Sequence, residues 1–203
     1  VSLSWRNQYC GILKTEYGGV EYYFIDNEYY FYRDGYYGHF DDAERFAFFS
    51  KAALDILPHI DFKPDIIHCN DWQSAMSIVY LKTIYRTNLF YRDIKSVFTI
   101  HNIEYQGKFN PYIRGDVLGL KDEHESILMY DQCINFMKGA VQVCDKLTTV
   151  SPSYANELKT PFFACGLQNI IKQNEYKLKG ILNGIDTDIF NPARDKYIKH
   201  HYS

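Results

Sequence analysis

Apolar and polar positions along this chain follow two periods, and the switches between them mark out its elements. Tyr9 to Leu13 and Val20 to Ile25 are β-rich, and Gly18-Gly19 between them supplies the positive φ that a tight turn needs, so the segment predicts a β-hairpin. From Asp41 the period lengthens. Phe46, Phe49, Ala53 and Leu57 recur at helical intervals, Asp41-x-x-Glu44 has capping-box spacing, and Pro58 marks a stop. Asp65 to Cys69 then reads as a buried strand, and Trp72 to Tyr85 as a helix with Ala75, Ile78, Val79 and Leu81 toward the core. Ser96 to Ile100 is the next strand, followed by a long polar loop. Ile127, Ile134, Met137 and Val141 mark a helix, and Lys146 to Val150 a strand. Short helices over Ser153 to Leu158 and around Gln168 lead to a last strand, Lys179 to Leu182. Regular β-α-β alternation predicts an α/β fold: a Rossmann-like, doubly wound parallel sheet with helices on both faces, preceded by the hairpin.

Each strand of that series runs into hydrogen-bonding residues: Ile67-His68-Cys69-Asn70-Asp71-Trp72-Gln73-Ser74-Ala75, Phe98-Thr99-Ile100-His101-Asn102-Ile103-Glu104-Tyr105-Gln106-Gly107, Thr149-Val150-Ser151-Pro152-Ser153-Tyr154, and Ile181-Leu182-Asn183-Gly184-Ile185-Asp186. In open α/β sheets ligands sit beyond the carboxyl ends of the strands, so four polar strand ends predict one composite site. The dinucleotide fingerprint G-x-G-x-x-G and the P-loop are both absent, which argues against a dehydrogenase or a P-loop nucleotidase.

Composition narrows the picture further. A length of 203 residues suits one sizeable domain and is short for two. A net charge of −3 without a basic stripe gives no reason to expect nucleic acid. No apolar run approaches the roughly 18 residues of a membrane span, so no membrane partner is expected. The amino end has no signal-peptide pattern, and its lack of an initiator Met suits a segment cut from a longer protein. Five scattered cysteines without a C-x-x-C pair predict reduced thiols in a cytoplasmic protein, with neither a disulfide framework nor a metal site. The 19 tyrosines could serve sugar stacking, although a chain also rich in Ile, Asn and Lys reads as compositionally biased.

Taken together, the four strand-end segments resemble the bacterial glycogen synthase and plant starch synthase family. The segments Arg33-Asp34-Gly35-Tyr36-Tyr37-Gly38 and Asp42-Ala43-Glu44-Arg45-Phe46-Ala47 fit it as well, and the resemblance runs from about Tyr22 through Pro192. It implies a retaining GT-B glycosyltransferase that adds glucose from ADP-glucose to an α-1,4-glucan. Residues 1–192 would be part of the amino-terminal catalytic domain and 193–203 the start of an interdomain linker. The family's glycine-rich Lys-Thr-Gly-Gly loop and two central strands would lie upstream. A facing carboxyl-terminal domain, supplying phosphate-facing basic residues and a glutamate, would complete the cleft.

The same resemblance assigns roles residue by residue. His101 and Asn102 would contact the donor glucose, with Tyr105 and Gln106 in the same loop adding polar groups. Asp71 reads either as a helix N-cap or as a group at the reaction centre. Tyr37 matches a substrate-contacting tyrosine, with Tyr36 beside it leaving the register open by one residue. Asn183 and Gly184, an ordinary turn signal by themselves, match the segment that reaches the donor across the cleft. Gln73 stands where many relatives carry a histidine. Ser151-Pro152 reads as a helix start, not a nucleophile. No cofactor is expected beyond ADP-glucose as donor substrate. Other readings are a stand-alone, non-catalytic glucan-binding module and a related GT-B transferase such as a sucrose synthase relative. With two central strands upstream, the strand at Ile66-Ile67 would present an open edge, covered either by a homodimer partner or by the repositioned hairpin.

Overall fold

A computed structural model describes residues 1–203. Its centre is a parallel sheet of β3 (Ile66–Asn70), β4 (Lys95–Ile100), β5 (Lys146–Thr149) and β6 (Leu178–Gly180), in the order β6-β5-β4-β3. The hairpin strands β1 (Gly11–Tyr17) and β2 (Val20–Asp26) form a sheet of their own. The main helices are α1 (Asp42–Asp55), α2 (Asp71–Lys82), α3 (Phe136–Val143), α4 (Pro152–Glu157) and α5 (Gln168–Gln173).

Each parallel strand lies beside its predecessor, always advancing in one direction. Right-handed crossovers therefore lay the connecting helices on one face of the sheet, and α1, α2, α3 and α5 pack there in sequence as one layer. Side chains alternate across a strand. Cys69, Ser96, Phe98, Ile100, Leu147 and Thr149 point into that layer and are buried. On the opposite face Ile66, His68 and Asn70 are exposed, so these four strands carry one winding of the doubly wound pattern. β3 is thus the open edge expected at Ile66-Ile67, with Ile66 at 56% exposure, although its apolar run alone reads as a buried strand.

In the hairpin, Tyr17 pairs with Val20, and Gly18 (φ 59) and Gly19 (φ 76) make the two-residue turn. Two positive φ values match the twist of the flanking strands. The first strand starts at Gly11, because Tyr9 turns its carbonyl toward Asn27 Nδ2 (2.7 Å) instead. The hairpin pairs only with itself, leaving the β3 edge uncovered.

Two further expectations are corrected. The helix at Asp41 forms without its capping box: Arg33 holds the Asp41 carboxylate (2.5 and 2.8 Å), while Glu44 accepts from Tyr30 (2.6 Å) and faces Arg6 (3.1 Å). Its buried face carries Ala43, Ala47, Phe48 and Leu54, leaving Phe46, Phe49 and Ala53 half-buried. The helix expected over Ile127 to Val141 is three pieces. Leu128 ends a single turn, Met129–Tyr130 and Cys133–Asn135 form antiparallel strands with Lys108–Phe109, and only then does α3 begin.

Candidate functional site

The sheet register builds the site. Asn70 pairs with Thr99, so Asp71 leaves β3 one residue-step before His101 leaves β4, side by side at the carboxyl edge. Asp71 enters α2 at φ 54, a left-handed conformation that aspartate tolerates better than most residues. Its carboxylate does not cap the helix. One oxygen accepts from the main-chain N–H of His101 (2.8 Å) and of Asn102 (3.3 Å). The imidazole Nε2 lies 3.0 Å from Asn70 Oδ1, and Ser74 Oγ closes the turn below, bonding both the N–H and the carbonyl of Asn70 at 2.7 Å. Asp71 thus clamps the backbone at His101 while Asn70 holds its ring. Such charge-assisted bonds are the stronger kind.

The loop from His101 to Gly107 is braced on its far side. Ile103 N–H donates to the Tyr154 hydroxyl (3.2 Å), and Asn102 Oδ1 accepts from Glu104 N–H (3.0 Å). Burial raises the Tyr154 phenol above its ordinary value, so it stays protonated at neutral pH. Gln106 departs from expectation. It is only 3% exposed, its amide donates to the carbonyls of Ile103 and Cys165 (3.0 Å each), and its oxygen accepts from Asn135 (2.8 Å). Its hydrogen-bonding groups face the interior, so it shapes the loop and does not line the crevice. Gly107 follows at φ 66, with the Trp72 ring against it.

Tyr105 and Tyr37 are both half-exposed, with ring centroids 6.4 Å apart. Tyr37 thus reaches the His101 loop, while the more exposed Tyr36 borders the adjoining cavity with it. The Tyr37 turn is anchored by Asp42 Oδ2, which accepts from Gly38 N–H (2.6 Å) and His39 N–H (3.1 Å). Beside it opens a cavity of about 920 Å³, lined in part by Arg33, Tyr37, Arg45, Phe46 and Gln73. Both arginines there are paired, Arg33 with Asp41 and Arg45 with Asp42 (2.5 Å each). The Arg33 guanidinium holds the Asp41 carboxyl below the usual carboxylate range. Asn183 and Gly184 follow the end of β6 at the same edge of the sheet, exposed and without a hydrogen bond to the His101 loop.

Asn70, Ser74 and Tyr154 brace this arrangement, and sequence reasoning gave none of them a part in it. All three lie inside the strand-end segments, but Asn70 and Tyr154 meet partners some thirty to fifty positions away, and Ser74 acts through Asn70, four residues before it. Neither buried thiol at the sheet is a candidate nucleophile, since burial pushes Cys69 up to about 12 and Cys144 up to about 11. The arrangement offers one imidazole, amide and hydroxyl groups, and two tyrosine faces, with one carboxylate already committed to the backbone. Those groups suit orienting a neutral, hydroxyl-rich ligand.

Comparison with known proteins agrees on one family. The family model for the starch synthase catalytic domain matches residues 1–173. The chain is 55% identical over 205 residues to a glycogen synthase of Clostridium botulinum (strain Alaska E43 / Type E3), covering 100% of this chain and 43% of that protein. Similarity to a glycogen synthase of Bacillus cereus (strain B4264) is 50% over 204 residues, again covering 100% of this chain and 43% of the relative. Among solved structures, the catalytic domain of Starch Synthase IV from Arabidopsis thaliana, bound to ADP and acarbose, superposes with a TM-score of 0.83 at 34% identity, covering 98% of this chain and 42% of that one. The chain therefore spans less than half the length of the relatives it matches.

Proposed function

The chain belongs to the starch synthase catalytic domain family, and on that premise we propose that it forms one side of the cleft in a GT-B glycogen synthase. The reaction moves glucose from ADP-glucose to the non-reducing end of an α-1,4-glucan. The observation that carries this reading is the clamp of Asp71 on the His101–Asn102 backbone at the carboxyl edge of the sheet. It fixes a histidine and an amide where a sugar would lie, with the Tyr37–Tyr105 pair alongside.

In this reading the bond between the anomeric carbon and the departing phosphate oxygen breaks, and the acceptor hydroxyl oxygen bonds to the same face of that carbon. The acceptor proton passes to the departing ADP, and charge builds on the sugar ring through an oxocarbenium-like state. His101 and its main-chain carbonyl are dipoles positioned toward that charge, Asn102 orients the donor sugar, and Asp71 keeps both in register. Tyr37 and Tyr105 hold sugar faces. Asn183 and Gly184 complete the donor site as the cleft closes. The groups that face the donor phosphates belong to the rest of the longer protein, since both arginines beside this crevice are already paired. A cytoplasmic location fits the nucleotide-sugar donor.

The test is His101→Ala in the full-length enzyme. Turnover is expected to fall about 10²–10³-fold, the usual loss for one transition-state donor, with glucan affinity little changed. Normal turnover in a folded variant would reduce His101 to a structural residue.

A further inference from the structure

The chain contains two tryptophans, and they are placed in opposite ways: Trp72 is 6% exposed and Trp5 is 71% exposed. Trp5 stands at the tip of a two-residue turn between the short strands Ser2–Leu3 and Arg6–Asn7. The other turn residue, Ser4, is held in the left-handed region at φ 54, and its hydroxyl donates to the Gly115 carbonyl (2.9 Å). A non-glycine residue persists there only where its surroundings over-determine it.

The indole is fixed along one edge and on one face. Its Nε1 donates to Asp116 Oδ1 (2.8 Å), and the Arg6 guanidinium lies 4.3 Å from the ring centroid. Arg6 is itself tied down, with Nη2 3.0 Å from Asp116 Oδ2 and Nε 3.1 Å from Glu44. The indole N–H and Arg6 hold the Asp116 carboxyl below its ordinary range, so it remains an ionised acceptor. One helical turn before Asp116, Tyr112 presents a second aromatic ring, 86% exposed. The second indole face is left to solvent. A latch for this turn would need only the hydrogen bond, which a small amide could make.

We propose that the free face of Trp5, flanked by Asp116 and Arg6, is a second binding position for an α-glucan chain, sharing no residue with the His101–Tyr37–Tyr105 cluster. The choice of sugar rests on the function proposed above. A rigid ring stacks on the apolar C–H face of a pyranose, while the carboxylate and guanidinium take the hydroxyls at its edge. A polymer held here raises the effective concentration of its own chain ends at the crevice. A short oligosaccharide held at one position presents no further chain end to the other and gains nothing.

The experiment compares wild type, Trp5→Ala and Trp5→Phe in the full-length enzyme. It uses glycogen and maltotriose as acceptors, together with retention in native gels cast with glycogen. For Trp5→Ala the KM for glycogen should rise about 2- to 10-fold, as expected for loss of one aromatic stacking contact, with kcat and the maltotriose KM unchanged. Retention in glycogen gels should weaken in parallel. Trp5→Phe keeps a stacking face and should retain most of the binding. Unchanged retention and glycogen KM in Trp5→Ala would overturn the inference, as would an equal rise for both acceptors. If wild type transferred to neither acceptor, the proposed function would fail by itself, and gel retention of wild type against Trp5→Ala would still decide the glucan platform.

Discussion

Gly107→Ala probes whether the crevice loop is held by the contacts described. Gly107 sits at φ 66, where an L-residue costs roughly 1–2 kcal/mol. An added Cβ would stand 2.7 Å from Trp72 Cε3 and 3.2 Å from Phe136 Cβ. Neither neighbour yields easily: the Trp72 ring packs edge-on against Phe46 at 4.8 Å, and the Phe136 Cβ belongs to the first residue of α3. Overpacking of this kind costs about 1–3 kcal/mol. Together the two effects predict a loss of about 2–5 kcal/mol, a large share of the roughly 5–15 kcal/mol that holds a typical domain. Gly115→Ala is the matched control, since it lies in a helical turn with nothing within 4 Å of its Cβ. It should be neutral or stabilising by up to about 1 kcal/mol. Urea unfolding by circular dichroism gives the two stabilities. Exchange of the Phe136 and Met137 amides, which donate to Gly107 and Gln106 carbonyls at 3.0 Å, shows whether the loop has lifted. A Gly107→Ala midpoint equal to that of Gly115→Ala, with both amides still protected, would refute the reasoning.

Two other outcomes follow from the same geometry. If Asp71 acts as a backbone clamp, Asp71→Asn keeps an acceptor oxygen and exchanges charged for neutral hydrogen bonds. It should lose about 1–2 kcal/mol, or roughly 5- to 30-fold in turnover, with Asp71→Ala losing at least ten times more; equal losses in both would make the charge itself the essential feature. The open β3 edge is a pairing template, so the 203-residue chain is expected to dimerise through it, with concentration-dependent protection at Ile66 and Ile67 and loss of dimer in Ile66→Lys. Light scattering that shows a strict monomer, with fast exchange at both residues, would exclude that partner.

What could be read from the sequence, and what could not, divides by the range of the interaction. The hairpin was legible because Gly18-Gly19 announces its own turn, and the parallel strands because short β-rich runs bounded by polar residues have few other uses. The antiparallel strands around Cys133 were not. Their turn uses Asp131 (φ 48) and Gln132 (φ 60), with no glycine to mark it, and the spacing of Ile127, Ile134, Met137 and Val141 is the one a helix would show. The capping box at Asp41 was spelled correctly and lost to Arg33 and Arg6, cations whose approach depends on how the first 40 residues fold back.

The crevice shows the same division most sharply. Residue types at the strand ends point to His101, Asn102 and Asp71 without any structure. Nothing local says that Asp71 spends its carboxylate on the His101 and Asn102 backbone, or that Gln106 turns inward to Asn135 and Cys165. Both facts come from the register that sets Asn70 against Thr99 and from the packing of α3 on the loop. A shift of that register by one residue would leave every motif intact in the sequence and would part Asp71 from the His101 amide. The chemistry of this site is therefore written in its residues, and its competence in the pairing of β3 with β4.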